Sequence, residues 1–181
     1  FFQTWGGVDF LVNNAGVALS LAGLLQEKFT KLSHDTICSG LHNARWPGRF
    51  EKVLDSPPVI MDAAHNPAGC RTIADALPQC VTIFSVSSDK DAANMLDMLA
   101  PISSPLILTT YSGARSLPLE QLQQLCLKYP HKSFSTLAES IEQGLLLANA
   151  QKPLLITGSI YAVGEARRLM IDKYGARPLV F

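Results

Sequence analysis

The sequence lacks the glycine-rich loops that bind nucleotide phosphates. Neither G-x-G-x-x-G nor G-x-x-x-x-G-K-[ST] occurs in its 181 residues, and there is no G-x-S-x-G elbow. The first two motifs supply the tight turn and the backbone N–H groups that hold phosphates in dinucleotide-binding domains and in P-loop NTPases. We therefore do not expect a self-sufficient domain of either class, and an oxidoreductase of the dinucleotide-binding type is disfavoured.

The chain also lacks an excess of charge of one sign and a long apolar run. Fifteen basic residues balance fifteen acidic residues, whereas proteins that bind nucleic acids or anionic membranes usually show a basic excess. No apolar run approaches the roughly 20 residues that a membrane-spanning helix needs. We expect neither a nucleic-acid partner nor a membrane partner. With 48% hydrophobic residues, the chain has enough apolar material for a globular core.

Cysteine and histidine are few and scattered. The four cysteines form no C-x-x-C pair, so we expect small buried side chains in a reducing compartment, which favours the cytoplasm. The four histidines do not cluster, and the sequence therefore predicts no metal site. The cysteines are Cys38, Cys70, Cys80 and Cys126, and the histidines are His34, His42, His65 and His131.

From residue 46 onward, short apolar strands alternate with amphipathic helices. The pattern predicts strands over 49–54, 58–62, 81–86, 106–108, 132–134 and 154–156, with a last edge strand over 178–181. Helix caps are expected at Asn66, Ser88, Ser116, Thr136 and Ser159. Such alternation is typical of an α/β fold in which helices cover both faces of a mainly parallel sheet. The turn at 55–58 predicts an N-terminal β-hairpin, which adds one antiparallel strand.

Residues 1–45 do not fit this alternation. A helix is predicted from Asn13 to about Gln26 and a second over 34–42, where Ile37 and Leu41 are too few to close a core. The composition changes near residues 43–48, and the chain opens on Phe1 with neither methionine nor a basic leader segment. We therefore expect a piece of a longer protein, in which residues 1–45 attach to something else and residues 46–181 form the domain.

The strand-to-helix junction at 59–69 carries the first candidate site. An apolar strand ends in Asp62, two alanines separate that acid from His65, and Asn66-Pro67 opens a helix. Ligands of open α/β sheets bind at the carboxyl ends of strands, where the N–H groups of a new helix also attract anions. Asp62 could accept hydrogen bonds from ribose hydroxyls while His65 meets a phosphate. Equally, Asp62 could cap local backbone while His65 lies on the surface.

Other polar loops occupy equivalent places along the chain. Arg49 follows Trp-Pro-Gly and could hold a phosphate with its planar guanidinium, or form a surface ion pair. Residues 87–91 and residues 157–159 each follow a strand and open a helix, and both could serve only for capping and packing. Arg115-Ser116 precedes another helix. Together these loops predict several polar groups that converge on one edge of one sheet.

These segments, in this order and spacing, resemble one known family. The segments are Trp46-Pro47-Gly48-Arg49-Phe50-Glu51, residues 62–67 (Asp-Ala-Ala-His-Asn-Pro), residues 89–91 (Asp-Lys-Asp), residues 157–161 and Gly164-Glu165. They resemble the C-terminal domain of folylpolyglutamate synthase / dihydrofolate synthase, in the Mur ligase superfamily. The resemblance runs from about Asn14 to the end, and its most specific part is the W-P-G-R and D-x-A-H-N-P pair.

The resemblance implies a Rossmann-like three-layer sandwich that closes over the ATP site of a larger ligase. Such an enzyme joins L-glutamate to a folate or dihydropteroate carboxylate, using ATP and Mg²⁺ through an acyl phosphate. The P-loop and the magnesium ligands of such enzymes lie in a preceding ATPase domain. That domain is the expected partner, residues 1–45 would be its helical tail, and the present chain alone is expected to be inactive.

The resemblance also assigns roles to individual residues. Arg49 would contact the phosphates of ATP, Asp62 would meet the ribose side, and Asn66 would belong to the same ATP site. His65, the expected catalytic residue, would lie near the terminal phosphate and the reacting carboxylate. The glutamate would contact Ser87, Asp89 and Ser159. The alternative is a non-catalytic nucleotide-binding or protein-interaction module that has inherited the fold.

Overall fold

The computed structural model describes residues 8–44 and 46–178, with side chains from residue 16 onward. Within these ranges the elements in chain order are α1 (Val8–Gln26), α2 (His34–Asn43), β1 (Glu51–Asp55), β2 (Pro58–Asp62), α3 (Pro67–Ala76), β3 (Cys80–Phe84), α4 (Ala92–Leu99), β4 (Ser103–Leu108), α5 (Leu119–Leu125), β5 (His131–Ser133), α6 (Leu137–Leu147), β6 (Leu154–Thr157) and α7 (Ile160–Tyr174). A short 3-10 helix over Ala100–Ile102 precedes β4.

The described strands form one sheet in the order β1-β2-β6-β3-β4-β5. β1 and β2 form the predicted antiparallel hairpin, and every other neighbouring pair is parallel. The parallel strands end level with one another, because Asp62 pairs with Thr157, Thr157 with Phe84, Phe84 with Leu108, and Leu108 with Ser133. Their carboxyl ends therefore share one edge of the sheet, from which the predicted polar loops emerge.

Helices cover both faces of the sheet. Successive strand residues point to opposite faces, so Phe84 and Leu108 pack under α3, α4 and α5, whereas Ile83 and Ile107 pack under α6 and α7. These strand residues are almost fully buried, as a parallel sheet with two covered faces requires. The predicted α/β, Rossmann-like three-layer sandwich is confirmed.

Three of the predicted helix caps are confirmed and two are wrong. The confirmed caps are Asn66, Thr136 and Ser159, whose side chains accept an N–H from the first turn of α3, α6 and α7. Ser88 does not cap α4, because the helix begins later, at Ala92, and is capped by Asp91. The N–H of Ser88 donates to the carbonyl of Arg115. Ser116 does not cap α5, since its hydroxyl accepts the N–H of Tyr111.

Among the side chains described from residue 16 onward, those of the two N-terminal helices belong to neither of the apolar clusters on the two faces of the sheet. α1 begins at Val8, earlier than the predicted Asn13, and contacts α2 and α3. α2 has no buried residue in the described structure. The large apolar side chains exposed in this part are Val17, Leu19, Leu21, Leu24, Leu25 and Phe29. None of the side chains described over residues 16–44 is buried.

The cysteines divide into two groups. Cys70, Cys80 and Cys126 are buried as predicted, and burial raises the pKa of the Cys70 thiol to about 12. The expectation of a buried side chain is wrong for Cys38, which is exposed. The reason is its position on α2, a helix with no buried face in the described chain.

The edge strand predicted over 178–181 lies outside the described residues, except for Pro178, which is in no strand. Across the two described ranges, every helix is too short or too polar to cross a membrane.

Candidate functional site

The loops that leave the carboxyl edge of the sheet stand side by side. Because β6 lies between β2 and β3, the turn after β6 separates the loop after β2 from the loop after β3, and the loop after β4 comes next. We call this set the carboxyl rim; it comprises residues 48–50, 62–66, 85–91, 109–118 and 157–161. Segments that are remote in sequence thus lie along one edge of the sheet, as the positions of the polar loops after the strands had predicted.

Asp62 holds two segments of the carboxyl rim together. One carboxylate oxygen accepts the N–H of Phe50 at 2.7 Å, and the other accepts the N–H of Ala64 at 2.8 Å. Burial raises the pKa of the Asp62 carboxyl, against the opposing effect of these two N–H groups and of Arg49 and His65. Each oxygen keeps a second lone pair, so Asp62 can cap backbone and still accept a ligand hydroxyl.

The Trp-Pro-Gly-Arg loop lies beside the same acid. The carbonyl of Gly48 accepts the N–H of Ala63 at 2.8 Å, and Phe50, on the other side of Arg49, donates to Asp62. The φ angles of Gly48 and Phe50 are 68° and 44°, in the left-handed region that favours glycine. Arg49 is therefore bracketed by two hydrogen-bonded residues, and its positive charge acts on the carboxyl of Asp62.

His65 and Asn66 complete this part of the carboxyl rim. Nδ1 of His65 lies 3.0 Å from the carbonyl oxygen of Ala63, so Nδ1–H is the donor and Nε2 is left for another partner. The side chain of Asn66 accepts the N–H of Gly69 at 2.8 Å. Pro67 has no N–H, so the first turn of α3 offers an anion fewer donors than the sequence argument assumed.

A largely buried ion pair supports the Arg49 loop from behind. The carboxylate of Glu51 accepts the N–H of Gly48 at 2.7 Å and also pairs with the guanidinium of Arg167 on α7. The side chains of Arg167 and Glu51 are 9% and 28% exposed, so water competes little for their charges. The loop is thus held by a side chain that lies 116 residues further along the chain than Glu51.

Asp89 and Arg115 join two neighbouring loops of the carboxyl rim. The N–H of Ser88 donates to the carbonyl of Arg115 at 2.9 Å, which ties the loop after β3 to the loop after β4. The Arg115 guanidinium lies 3.3 Å from both oxygens of Asp89, and the Lys90 ammonium lies 2.8 Å from the same carboxylate. Lys90 above all, with help from Arg115, holds the pKa of Asp89 below its usual value. One acid is therefore shared by two cations.

Two stacked tyrosines form a platform beside Arg115. The rings of Tyr111 and Tyr161 have centroids 5.8 Å apart and an interplanar angle of 21°. The guanidinium of Arg115 lies 5.4 Å from the centroid of Tyr161 and donates to the Tyr161 hydroxyl at 3.1 Å. Tyr111 is anchored by a buried hydrogen bond of 2.8 Å between its hydroxyl and that of Ser87. The start of α7 thus contacts the loop after β4.

Ser159 lies in the turn between β6 and α7, between the two halves of the carboxyl rim. Its hydroxyl accepts the N–H of Tyr161 at 3.2 Å, and the residue is buried. Gly158 has a φ of 107°, and a Cβ at this position would lie 2.4 Å from the carbonyl oxygen of Ser85. This turn therefore requires glycine, because no side chain fits between the two loops.

Buried hydroxyls mark the ends of the three central strands. In the described part of the chain, the side-chain oxygens of Ser85, Thr109 and Thr157 are buried without a hydrogen-bond partner. They stand at the carboxyl ends of β3, β4 and β6. Buried hydroxyls normally form hydrogen bonds to protein or to ordered water. This edge of the sheet can therefore offer hydrogen bonds to a polar ligand or to water.

The residues predicted from the sequence fall into two adjacent groups on the carboxyl rim. The first group is Arg49, Asp62, His65 and Asn66; the second is Ser87, Asp89 and Ser159. Tyr111 belongs to none of the predicted sites, and no local signal identifies the Glu51–Arg167 pair, since its members are far apart in the chain. Among the residues described, no three or more His, Cys, Asp or Glu side chains cluster so as to hold a metal ion.

Known proteins share both the sequence pattern and the fold. The family described as Mur ligase, glutamate ligase domain, matches residues 48–160. The chain is 30% identical over 173 residues to a folylpolyglutamate synthase of Lacticaseibacillus casei, covering 90% of this chain and 39% of that protein. It is 29% identical over 170 residues to a dihydrofolate synthase/folylpolyglutamate synthase of Escherichia coli, covering 88% and 39%. The chain spans from about a fifth to two fifths of the length of the curated relatives it matches.

Solved structures agree with this match. A folylpolyglutamate synthase of Mycobacterium tuberculosis, complexed with ADP and AMPPCP, superposes with a TM-score of 0.71 at 27% identity, covering 76% of this chain and 35% of that one. A bifunctional folylpolyglutamate synthase/dihydrofolate synthase with Mn, AMPPNP and L-glutamate bound gives a TM-score of 0.69 at 27% identity, covering 77% and 35%. Because the family match covers more than half of the residues and the fold agrees, the chain belongs to the Mur ligase glutamate ligase domain family.

Proposed function

We propose that this domain completes the active site of an ATP-dependent ligase that joins L-glutamate to a folate or dihydropteroate carboxylate through an acyl phosphate. The observation that carries the proposal is the junction of Arg49 with the turn from Asp62 to His65 on the carboxyl rim. This junction brings a guanidinium, a carboxylate and an imidazole to the place where open α/β sheets bind ligands.

The first group of residues fits a nucleotide. ATP would supply the phosphoryl group that activates the acceptor carboxylate, and this chemistry depends chiefly on positioning and charge stabilisation. The backbone on both sides of Arg49 is fixed by hydrogen bonds of Gly48 and Phe50, and the planar guanidinium of this residue suits the phosphates. His65, with Nδ1 on the Ala63 carbonyl, can present Nε2 to a phosphate oxygen or to the reacting carboxylate, and Asn66 borders the same place. The remaining lone pairs of Asp62 suit ribose hydroxyls.

The second group is proposed to face the glutamate. The carboxylate of Asp89 is about half exposed and complements the ammonium group of an amino acid. The hydroxyls of Ser87 and Ser159 are buried and already bonded, to Tyr111 and to the N–H of Tyr161, so they would contribute through their remaining lone pairs.

A preceding ATPase domain with a P-loop and Mg²⁺ ligands is proposed as the other half of the site. Support comes from the exposed apolar side chains of residues 17–29, which offer such a domain a packing surface. A solved relative holds Mn with an ATP analogue, and both Mn²⁺ and Mg²⁺ prefer oxygen ligands and phosphates. In this arrangement residues 1–45 are the tail of the ATPase domain and residues 46–181 the domain that closes on it, in the cytoplasm.

Amino-acid incorporation by the intact enzyme tests the proposal. With ATP, Mg²⁺, L-glutamate and either dihydropteroate or tetrahydrofolate, we expect ADP, phosphate and an acceptor heavier by one glutamyl residue, read by mass spectrometry. The two acceptors separate a dihydrofolate synthase from a polyglutamate synthase. An enzyme that binds ATP but incorporates no amino acid into either acceptor would favour a non-catalytic nucleotide-binding module instead.

A further inference from the structure

Glu51 lies outside the two groups of residues proposed to meet the substrates, yet its carboxylate holds the residue that precedes Arg49. One oxygen, Oε2, accepts the N–H of Gly48 at 2.7 Å and pairs with the guanidinium of Arg167. We propose that Glu51 and Arg167 are positioning residues, which act on phosphoryl transfer by holding the Arg49 loop in place through this hydrogen bond. The inference rests on the proposed function, because Arg49 is the residue proposed there to contact the phosphates of ATP.

Gly48 is fixed at both of its backbone polar groups. Its N–H donates to Glu51, and its carbonyl accepts the N–H of Ala63 at 2.8 Å. Its φ is 68°, and a Cβ here would lie 3.0 Å from Cγ1 of Val163 on α7. The chain that enters Arg49 therefore lies against α7 in one hydrogen-bonded conformation.

Arg167 holds Glu51 in turn. It lies one turn of α7 after Val163, and its side chain is 9% exposed, against 28% for that of Glu51. A glutamate side chain has several rotamers, and a bound guanidinium in a largely buried place selects among them. Glu51 therefore meets Gly48 with its acceptor already in place, and α7 supports the loop through both a packing contact and an ion pair.

The placement of Arg49 matters because its proposed role is electrostatic. Phosphoryl transfer is catalysed chiefly by positioning and charge stabilisation, and a misplacement of about 1 Å can cost about a hundredfold in rate. Arg49 directly follows Gly48 in the chain, so a change in the conformation of Gly48 moves the guanidinium. Loss of the hydrogen bond should therefore lower kcat/KM for ATP and leave the KM for L-glutamate within about twofold.

Two double variants of the intact ligase separate the hydrogen bond from the ion pair. Glu51→Gln with Arg167→Met removes both charges but keeps a side-chain oxygen for Gly48, and we expect kcat/KM for ATP within about threefold of the wild type. Glu51→Leu with Arg167→Met removes the acceptor as well, and kcat/KM for ATP should fall about tenfold to a hundredfold. Neither variant leaves a buried charge unpaired, so their melting temperatures should differ by less than about 5 °C.

A cycle with Arg49→Ala distinguishes positioning from general support of the fold. In the Arg49→Ala background, Glu51→Leu with Arg167→Met should lower kcat/KM for ATP by less than about twofold further, because no guanidinium remains to be misplaced. A role independent of Arg49 would instead lower kcat/KM by the same factor in both backgrounds. If the variant with Glu51→Leu fails to fold, Glu51→Asp runs the same cycle, since it keeps the charge but withdraws the acceptor from Gly48 by one methylene group.

Asp55→Leu with Arg177→Met is the matched control. Asp55 lies on the same strand as Glu51 and pairs with Arg177 at 3.3 Å, but at the end of β1 that is remote from Arg49. This variant should leave kcat/KM for ATP unchanged. Wild-type kcat/KM in the variant with Glu51→Leu, an equal loss in the variant with Glu51→Gln, or additive losses in the cycle would each overturn this inference alone. A wild type that incorporates no glutamate would overturn the proposed function, and this inference with it.

Discussion

At the residue scale, Asp62 serves the fold and the site with the same two oxygens. Its carboxylate joins the N–H of Phe50 to that of Ala64 and so closes the carboxyl rim around Arg49. The sequence suggested two hypotheses for Asp62, a cap of local backbone or an acceptor for ribose hydroxyls, and this geometry is compatible with both. The backbone contacts are observed, and the ligand contact remains a proposal.

Asp62→Asn and Asp55→Asn should respond to pH in opposite directions. Burial raises the folded-state pKa of Asp62, so its stabilising contribution is complete below the unfolded pKa of about 3.9 and is lost as pH rises through the folded pKa. Lys52 lowers the pKa of Asp55, so that contribution is present above about 3.9 and is lost as pH falls through the lowered pKa.

Urea unfolding between about pH 3 and pH 7 measures both effects. The free energy of unfolding of the wild type minus that of the variant should fall with rising pH at position 62 and rise at position 55. The slope at position 55 should be the smaller, because Asp55 is exposed. Slopes of the same sign at the two positions would contradict the burial argument.

Arg49→Ala should lower kcat/KM of the intact enzyme about a hundredfold or more, because it removes a charge proposed to contact phosphate in the transition state. The melting temperature should stay close to that of the wild type. Arg71→Ala, which removes an exposed arginine from α3, serves as the control and should leave kcat/KM unchanged. Equal rates for the two variants would remove Arg49 from the site.

At the scale of elements, α7 connects the two halves of the carboxyl rim. Its first turn brings Tyr161 against Arg115, and Arg167, further along the helix, pairs with Glu51 beneath the Arg49 loop. A third contact joins Glu165 to the N–H of Ser112 at 2.7 Å. One helix therefore positions two segments that are remote in sequence, the loop after β4 and the loop that leads into β1.

Glu51→Gln should lower the free energy of unfolding by about 1–3 kcal/mol, because Arg167 then lacks a compensating charge in a largely buried place. Chemical denaturation of the isolated chain measures this change. Glu142→Gln on α6, where the residue is exposed, is the control and should change stability by less than about 0.5 kcal/mol. Similar effects of the two substitutions would show that the ion pair does not support the loop.

Gly158→Ala should destabilise the domain by about 2 kcal/mol or more, because its Cβ would lie 2.4 Å from a backbone oxygen and φ is 107°. Gly164→Ala is the matched control on α7. In the described structure no heavy atom lies within 4 Å of a Cβ there, so the change should be neutral or stabilising by up to about 1 kcal/mol. Thermal or urea unfolding compares the two, and equal stabilities would contradict the packing of this turn.

At the scale of the whole molecule, the carboxyl rim is a surface on one domain. Its acidic and basic residues are Arg49, Asp62, Asp89, Lys90, Asp91 and Arg115, and the sequence contains no glycine-rich phosphate loop. A rim of this kind can stabilise charge on a nucleotide that another domain holds, as lids do in enzymes that close around substrate. The exposed apolar side chains of residues 17–29 fit the same arrangement.

The isolated chain should therefore show no glutamate-dependent ATP hydrolysis and at most weak affinity for ATP by calorimetry. The proposed P-loop and all of the proposed metal ligands would be absent from it. Phosphate release and titration of ATP into the chain are the two measurements. Turnover of ATP that depends on glutamate would contradict the proposal that a separate ATPase domain is needed to bind ATP and the metal ion.

The sequence pattern was sufficient to predict most strands and helices and to locate the part of the carboxyl rim around Asp62. Strand–helix alternation, the hairpin and the caps at Asn66, Thr136 and Ser159 were predicted correctly, because hydrophobic period and capping act within a few residues. The junction at Asp62 was also visible, since strand ends and helix starts are local signals. The prediction was wrong at Ser88, whose N–H bonds to the loop after β4, and at Ser116, whose hydroxyl bonds to Tyr111 within its own loop.

Only the folded arrangement showed which distant side chains meet. The Glu51–Arg167 pair, the Tyr111–Tyr161 stack and the contact of Arg115 with Asp89 all depend on the strand order, which inserts β6 between β2 and β3 and places β4 beside β3. Strand order is set by the packing of all helices on the sheet at once, so it cannot be predicted from a short stretch of neighbouring residues. For that reason the chemistry-bearing residue types could be found along the chain, while their partners could be found only in space.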